Sequence, residues 1–276
     1  MNVKNSVHGL WIKGALSPLE LITIHSFLQH GYNFILWSYG IDNSNLPDSV
    51  ILKDAREIIP ENDVFFYRHH NQFGHGEGSY AGFSDIFRYK LLYEYGGWWT
   101  DMDITCLKRL PESDYFFRNN KTSLSAIGNL IFCTPQSPIM KWCYEQALSS
   151  VNSENTNWTL PIKILNNGIQ KFELQSYIQP ISNKDSWLEV SQLLNSKKIP
   201  DKYYCIHWMN EEFRRLKLSK SEFPTNSNLY QLALQYHVAI YPIKGLWGKA
   251  KFAIKTSRLY YLLINLRFLQ AYLFQK

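Results

Sequence analysis

The chain has 276 residues, enough for one large catalytic domain and too many for a peptide module. With 45% hydrophobic against 19% charged residues, and 18 Tyr, 16 Phe and 9 Trp, the composition excludes a disordered or low-complexity protein. The net charge of +6 is unevenly spread: no acidic residue follows Glu222 but seven basic ones do, leaving 22 basic and 23 acidic residues in positions 1–222. A nucleic-acid-binding face is thereby confined to the tail, and nucleic acid is not expected as a partner.

Cys106, Cys133, Cys143 and Cys205 are widely spaced with no C-x-x-C pair, which argues against a disulfide framework or structural zinc and for a reducing compartment. Met1 to Gly14 lacks the apolar core and cleavage site of a secretory signal. The longest uncharged stretch, Phe223 to Ile243, is interrupted by Pro224 and several Asn and Gln, so no membrane span is expected.

In chain order, Val7 to Ile12 reads as a strand. Ser17-Pro18-Leu19-Glu20 then has the form of a capping box with proline at the first helical position, and Gly31 ends that helix. Asn33 to Tyr39 is a second strand, Asp54 to Ile58 a brief helical segment, and Val64 to Tyr67 a third strand. Ser79 to Tyr95 is the strongest helix, with Tyr80, Phe83, Phe87 and Leu91 at helical spacing and Gly96-Gly97 as its stop. Trp98 to Thr105 reads as a strand, followed by a strand at Ser125 to Cys133. Helices are expected at Pro138 to Val151 and Pro161 to Phe172, and a last strand at Tyr203 to Trp208. Alternation of this kind predicts an α/β fold with a mainly parallel sheet, whose ligands bind at the carboxyl ends of the strands. Residues 1–243 are expected to form one domain and 244–276 a basic amphipathic helical segment.

Asp101-Met102-Asp103 is the centre of the chemistry. On an extended segment both carboxylates face one side, toward a hard cation of the kind held by one or two carboxylates plus substrate phosphates. A competing pattern, Gly76-Glu77-Gly78-Ser79-Tyr80-Ala81, fits G-x-G-x-x-A. Its strand ends near Tyr67, so the tight strand-to-glycine turn of a dinucleotide site is missing. His69, His70 and His75 beside it read as a mobile loop over the donor or acceptor site.

Ser84, Asp85 and Arg88, the run Leu91-Leu92-Tyr93-Glu94-Tyr95-Gly96-Gly97, and Trp98-Trp99-Thr100-Asp101-Met102-Asp103 together resemble the DXD sugar-binding signature of glycosyltransferase family 32. That family includes bacterial capsule and lipopolysaccharide enzymes, α-1,4-galactosyltransferases, yeast initiating mannosyltransferases and, more remotely, clostridial glucosylating toxins. The resemblance implies a GT-A type Rossmann-like fold, a nucleotide-sugar donor, a divalent metal (Mn2+ or Mg2+) and retention of anomeric configuration. It places Leu10, Trp11 and Ile12 at the nucleotide base, and Ser84 and Thr100 near the nucleotide. Asp85 and Arg88 fall on donor sugar and phosphate, and Asn129 on the sugar. Asp101 and Asp103 fall on the metal, with His207 as a third ligand or a diphosphate contact. The bland counterparts are a core tryptophan, a helix-surface ion pair for Asp85 and Arg88, a turn asparagine and a buried structural histidine.

The sequence departs from the family pattern at His207-Trp208-Met209-Asn210, where tryptophan follows histidine directly, and at Trp158-Thr159-Leu160-Pro161, which lacks a Gly-Pro pair. The expected activity is transfer of a hexose or N-acetylhexosamine, from a UDP-sugar by preference, to a lipopolysaccharide, capsule or O-antigen precursor. Front-face and double-displacement routes stay open. The other reading is a catalytically inactive nucleotide-sugar or glycan-binding module on the same scaffold. A cytoplasmic protein is expected, placed peripherally on the inner face of the membrane by the tail. There Phe252, Leu259, Leu262, Leu263, Leu266 and Leu269 serve as apolar anchors among Lys249, Lys251, Lys255, Arg258 and Arg267.

Overall fold

A computed structural model describes residues 2–40, 45–119, 125–195 and 197–274; Lys276 and residues 120–124 lie outside them. The first half runs β1 (Ser6–Trp11), α1 (Pro18–Gln29), β2 (Asn33–Ser38), β3 (Ile51–Asp54), α2 (Ala81–Tyr95), β4 (Gly97–Thr100), β5 (Ile104–Cys106), β6 (Tyr115–Asn119) and β7 (Ala126–Cys133). The second half runs α3 (Pro138–Ser150), α4 (Leu160–Lys171), β8 (Ile178–Gln179), α5 (Trp187–Leu194), β9 (Cys205–His207), α6 (Asn210–Arg215), β10 (Glu222–Phe223), α7 (Asn228–Gln235), β11 (Tyr241–Pro242), α8 (Gly245–Thr256) and α9 (Arg258–Phe274).

Seven strands form one sheet in the order β3-β2-β1-β4-β7-β6-β8. β3, β2, β1 and β4 are mutually parallel, β7 is antiparallel to β4 and β6, and β8 returns parallel to β6. This is the mainly parallel α/β sheet expected from the alternation of strands and helices. Period-2 alternation sorts the strand side chains into two cores. Ile35, Trp37, Trp99, Phe117 and Ile131 face α2, α3 and α4, whereas Phe34, Leu36, Trp98, Phe116 and Leu130 face α1 and β5. A third apolar cluster joins α1 to α5, α6, α7 and α8. All four cysteines are buried and unpaired.

The start of α1 is fixed as expected, the Glu20 carboxylate accepting the backbone N–H of Ser17 at 2.7 Å. Gly96 ends α2 at φ +64°, and a Cβ there would lie 2.5 Å from Pro135, so only glycine fits this stop. The brief helical segment expected from Asp54 to Ile58 is present as one 3-10 turn, Ala55–Glu57. Two expectations require correction. The third strand is Ile51–Asp54, not 64–67: Tyr67 hydrogen-bonds to Ser79 and Gly78 across a loop closure instead of joining the sheet. The stretch from Trp98 to Thr105 is broken, because Asp101 to Asp103 form a turn between β4 and β5, closed by the Ile104 amide on the Asp101 carbonyl at 3.3 Å.

Residues 245–274 fold as two helices, α8 and α9, laid on the third cluster. Phe252 is 5% exposed and part of that cluster, so it is a core residue and not a surface anchor. Leu269 is half-buried. Among the described residues no helix is long and apolar enough to cross a membrane.

Candidate active site

Trp11 ends β1 and Thr100 ends β4, and because these strands are parallel neighbours their carboxyl ends open on the same edge of the sheet. A cleft of about 570 Å³ lies there. Its walls bring together Leu10, Trp11, Ile12, Ser84, Asp85, Arg88, Thr100, Asp101, Asp103, Asn129 and His207, which are all the residues the resemblance assigned to donor or metal; of the three loop histidines only His75 lines it.

Arg88 reaches from α2 to the turn. Its guanidinium lies 3.4 Å from Asp85 and 3.1 Å from Asp101, and its side chain is only 6% exposed, so the pair is no solvated helix-surface contact. Its Nε and Nη2 also donate to the Ser84 carbonyl and hydroxyl, and the ring of Trp99 lies 5.2 Å from its Cζ. Gly128 on β7 makes room for it, since a Cβ there would meet Nη1 at 2.7 Å. Burial pushes the Asp85 pKa up to about 6 against the pull of Arg88. Burial also raises that of Asp101, with Arg88 and the Trp99 indole N–H (2.8 Å) in partial opposition.

Asp103 sits at the other end of the turn. Its Oδ2 accepts the Asn210 backbone N–H at 2.6 Å and lies 3.3 Å from His207 Nε2. The left-handed Met209 (φ +59°) turns the chain so that this amide points at the carboxylate. His207 Nδ1 lies 2.6 Å from Asp185 Oδ1. Asp185 in turn receives both terminal nitrogens of Arg118, at 2.8 and 3.0 Å. Burial works against charge on the imidazole, but Asp103 and Asp185 outweigh it and push its pKa up to about 10. Burial likewise opposes ionisation of Asp185, yet Arg118 and His207 hold it well below the usual carboxylate range. A carboxylate oxygen faces each ring nitrogen, an arrangement that suits a protonated ring donating from both.

Arg118 and Asp185 were not singled out from the sequence. The only signal for Arg118 is a charge inside the apolar strand Tyr115-Phe116-Phe117-Arg118, where it is fully buried. Asp185 stands in a polar loop with no distinguishing pattern. Arg118 also donates to Asn129 Oδ1 at 3.3 Å. A guanidinium only donates, so this contact fixes which way the amide points. It leaves the Asn129 Nδ2 buried at the cleft wall with no partner among the described residues, a donor ready for a ligand oxygen.

At the mouth, Trp11 is half-buried. Its indole N–H donates to the Gly14 carbonyl at 2.9 Å, and the Lys220 ammonium lies 5.5 Å from the ring centroid. On the opposite wall His75 Nε2 lies 3.0 Å from Glu212 Oε1, and Gly76 donates to Glu211 at 3.1 Å. His69 pairs with Glu154 outside the cleft.

Among the described residues no three His, Cys, Asp or Glu side chains form a ready cage for a metal. Asp101 and Asp103 supply hard carboxylate oxygens on one turn. That donor set fits a divalent cation whose remaining positions are filled by phosphate and water, the usual manner of Mg2+-type binding.

An acidic turn leaving the central parallel strand of an α/β sheet, with an arginine clamped across it, makes a cleft suited to a charged, oxygen-rich ligand. Residues 25–124 match the family model of the glycosyltransferase sugar-binding region containing the DXD motif. An uncharacterized glycosyltransferase of Acanthamoeba polyphaga mimivirus is 25% identical over 263 residues, covering 91% of this chain and 98% of that protein. Among solved structures, PaToxG glycosyltransferase aligns at 14% identity and a TM-score of 0.44, over 92% of this chain and 84% of its own. The apo form of the glycosyltransferase GlyE of Streptococcus pneumoniae aligns at 9% identity and a TM-score of 0.45, over 95% of this chain and 64% of its own. These matches support a resemblance to the glycosyltransferases of the family 32 type that carry a DXD sugar-binding region.

Proposed function

We propose that the protein is a retaining, metal-dependent hexosyltransferase that uses a nucleotide sugar, by preference a UDP-sugar, and builds a surface glycan of the lipopolysaccharide, capsule or O-antigen kind. The observation that carries this reading is the convergence of Asp101 and Asp103 with the Arg88–Asp85 pair and the unpartnered Asn129 amide in one cleft.

Asp101 and Asp103 would hold the cation, which when bound neutralises the charge growing on the departing diphosphate. Arg88 presents its donor fork to the same phosphates and orients the Asp85 carboxylate toward sugar hydroxyls. The Asn129 Nδ2 donates to a sugar oxygen. His207, with its two nitrogens turned to Asp103 and Asp185, serves the diphosphate as a nearby positive charge better than it serves the cation as a ligand. Trp11 offers an apolar face to the nucleotide base.

Each carboxylate at the cleft's centre is engaged by a cation: Asp85 and Asp101 by Arg88, Asp103 and Asp185 by His207. This supports a front-face route, in which the acceptor hydroxyl attacks from the side the phosphate leaves and passes its proton to that phosphate. The test is incubation with a panel of UDP- and GDP-sugars plus Mn2+ or Mg2+, with and without EDTA, scored for donor hydrolysis. Hydrolysis that stops in EDTA is expected. Tight donor binding without turnover on any sugar would assign the chain to the inactive binding modules.

A further inference from the structure

The last helix is apolar on both sides, and only one side is used by the fold. On the inner face Tyr260, Tyr261 and Ile264 pack on the third cluster, Asn265 Oδ1 accepts from Arg215 at 2.6 Å, and the Phe268 ring stands 5.7 Å from that of His70. On the outer face Leu259, Leu262, Leu263 and Leu266 are 68%, 47%, 54% and 55% exposed. Their spacing puts them on a single stripe, with Leu273 about two turns further along. Leu246 and Trp247, at the start of α8, are 87% and 85% exposed. Scattered surface leucines need no explanation, but a row of them on one helix, with a bare tryptophan on the helix before it, marks a surface built to be covered.

Charge identifies what covers it. Lys249, Lys251, Arg258 and Arg267 are exposed on the same two helices, and the chain after Glu222 offers no carboxylate to pair with them. Leucine and tryptophan rimmed by unopposed Lys and Arg is the composition of a helix lying in the plane of an anionic membrane.

We propose that the outer face of α8 and α9 docks on a bilayer surface containing anionic lipid, the leucines entering the boundary between head groups and acyl chains. The inner face of α9 braces the cleft. The Tyr261 hydroxyl donates to Glu212 Oε1 at 3.3 Å, and Glu212 holds His75, both of them cleft-lining residues. Docking therefore sets the cleft wall about one helix diameter, roughly 10 Å, from the head groups. Resting on the proposed transferase activity, this selects acceptors that are themselves lipid-linked saccharides. The docking itself does not depend on that activity.

The experiment is sedimentation of the full chain with vesicles of phosphatidylcholine alone or mixed with phosphatidylglycerol. It uses the wild type, a Leu259→Gln/Leu262→Gln/Leu263→Gln/Leu266→Gln variant and a Lys249→Gln/Lys251→Gln/Arg258→Gln/Arg267→Gln variant. The wild type is expected to pellet with the anionic vesicles only, each variant to bind at least about tenfold more weakly, and both variants to hydrolyse soluble donor as the wild type does. Undiminished binding by the leucine variant overturns the proposal, as does failure of the wild type to bind. A dimer in solution that the leucine variant abolishes overturns it in favour of a second copy on the stripe. Vesicle binding by a wild type that hydrolyses no donor supports the docking and removes the transferase reading alone.

Discussion

His207 holds its Nε2 3.3 Å from Oδ2 of Asp103, the same oxygen that accepts the Asn210 amide at 2.6 Å. Two donors behind one carboxylate fix its orientation and leave its other oxygen for the cleft. Asp103→Asn keeps the shape but replaces an acceptor with an amide, and Asp101→Asn does the same beside Arg88. Each is expected to cut metal-dependent donor hydrolysis by about 100-fold or more, with a thermal midpoint near that of wild type. Wild-type turnover in either variant, or in EDTA, would remove the metal from the reading.

The two carboxylates around Arg88 make it structural as well as chemical. Arg88→Ala leaves Asp85 and Asp101 buried without their cation. It is expected to lose turnover and also stability on the order of 3 kcal/mol, the cost of breaking a buried pair. Arg88→Lys should keep part of both, since it restores charge but not the planar fork. Gly128→Ala separates the roles: all charges stay, but the new Cβ falls 2.7 Å from Nη1 and must displace it. A fall in kcat with little change in melting temperature is expected. If Arg88→Ala matches wild type in turnover, the guanidinium has no part in the reaction.

The parts of this site carried by local sequence were legible, and those made by long-range packing were not. Asp85, Arg88 and the acidic pair sit within 19 residues on one helix–strand unit, so spacing alone puts them together. The extended reading of Asp101 to Asp103 failed because bulky Trp98 and Trp99 suggest a strand longer than the sheet allows. The chain turns after Thr100 to pair β5 with β9 instead. Arg118, Asp185 and His207 come from three separate segments, β6 of the large sheet, a loop and β9 of the small sheet, and only tertiary packing brings them together. A lone arginine among aromatics was the only trace of that. The misplaced third strand has a similar cause, since Val64 to Tyr67 is apolar enough for a strand yet packs as a loop against α2.

Trp11 separates base binding from chemistry. The ring lies at the cleft mouth, away from the acidic turn and held by its bond to the Gly14 carbonyl. Trp11→Ala is expected to raise KM for the nucleotide sugar about tenfold, the scale of one lost base stack, with kcat nearly unchanged. Trp11→Phe should recover most of the loss. An unchanged KM in Trp11→Ala would return this residue to the ordinary core.

The buried His8 gives the fold an acid sensitivity separate from the active site. Its ring is 3% exposed, and Nδ1 accepts the Trp37 indole N–H at 3.1 Å, which requires that nitrogen to be unprotonated. Burial, reinforced by the nearby Lys53 charge, pushes its pKa down to about 4, while the unfolded chain protonates near the ordinary value of about 6.5. Above that value neither state carries the proton. As pH falls toward 4 the unfolded state binds a proton the native state refuses, so stability drops across this window. The loss from this one group is on the order of 2 kcal/mol by about pH 5. Urea unfolding at about pH 7.5 and pH 5 should therefore show a larger drop for wild type than for His8→Asn, whose side chain does not titrate. Equal drops in the two proteins would mean that His8 is protonated in the native state, contrary to its bond from Trp37.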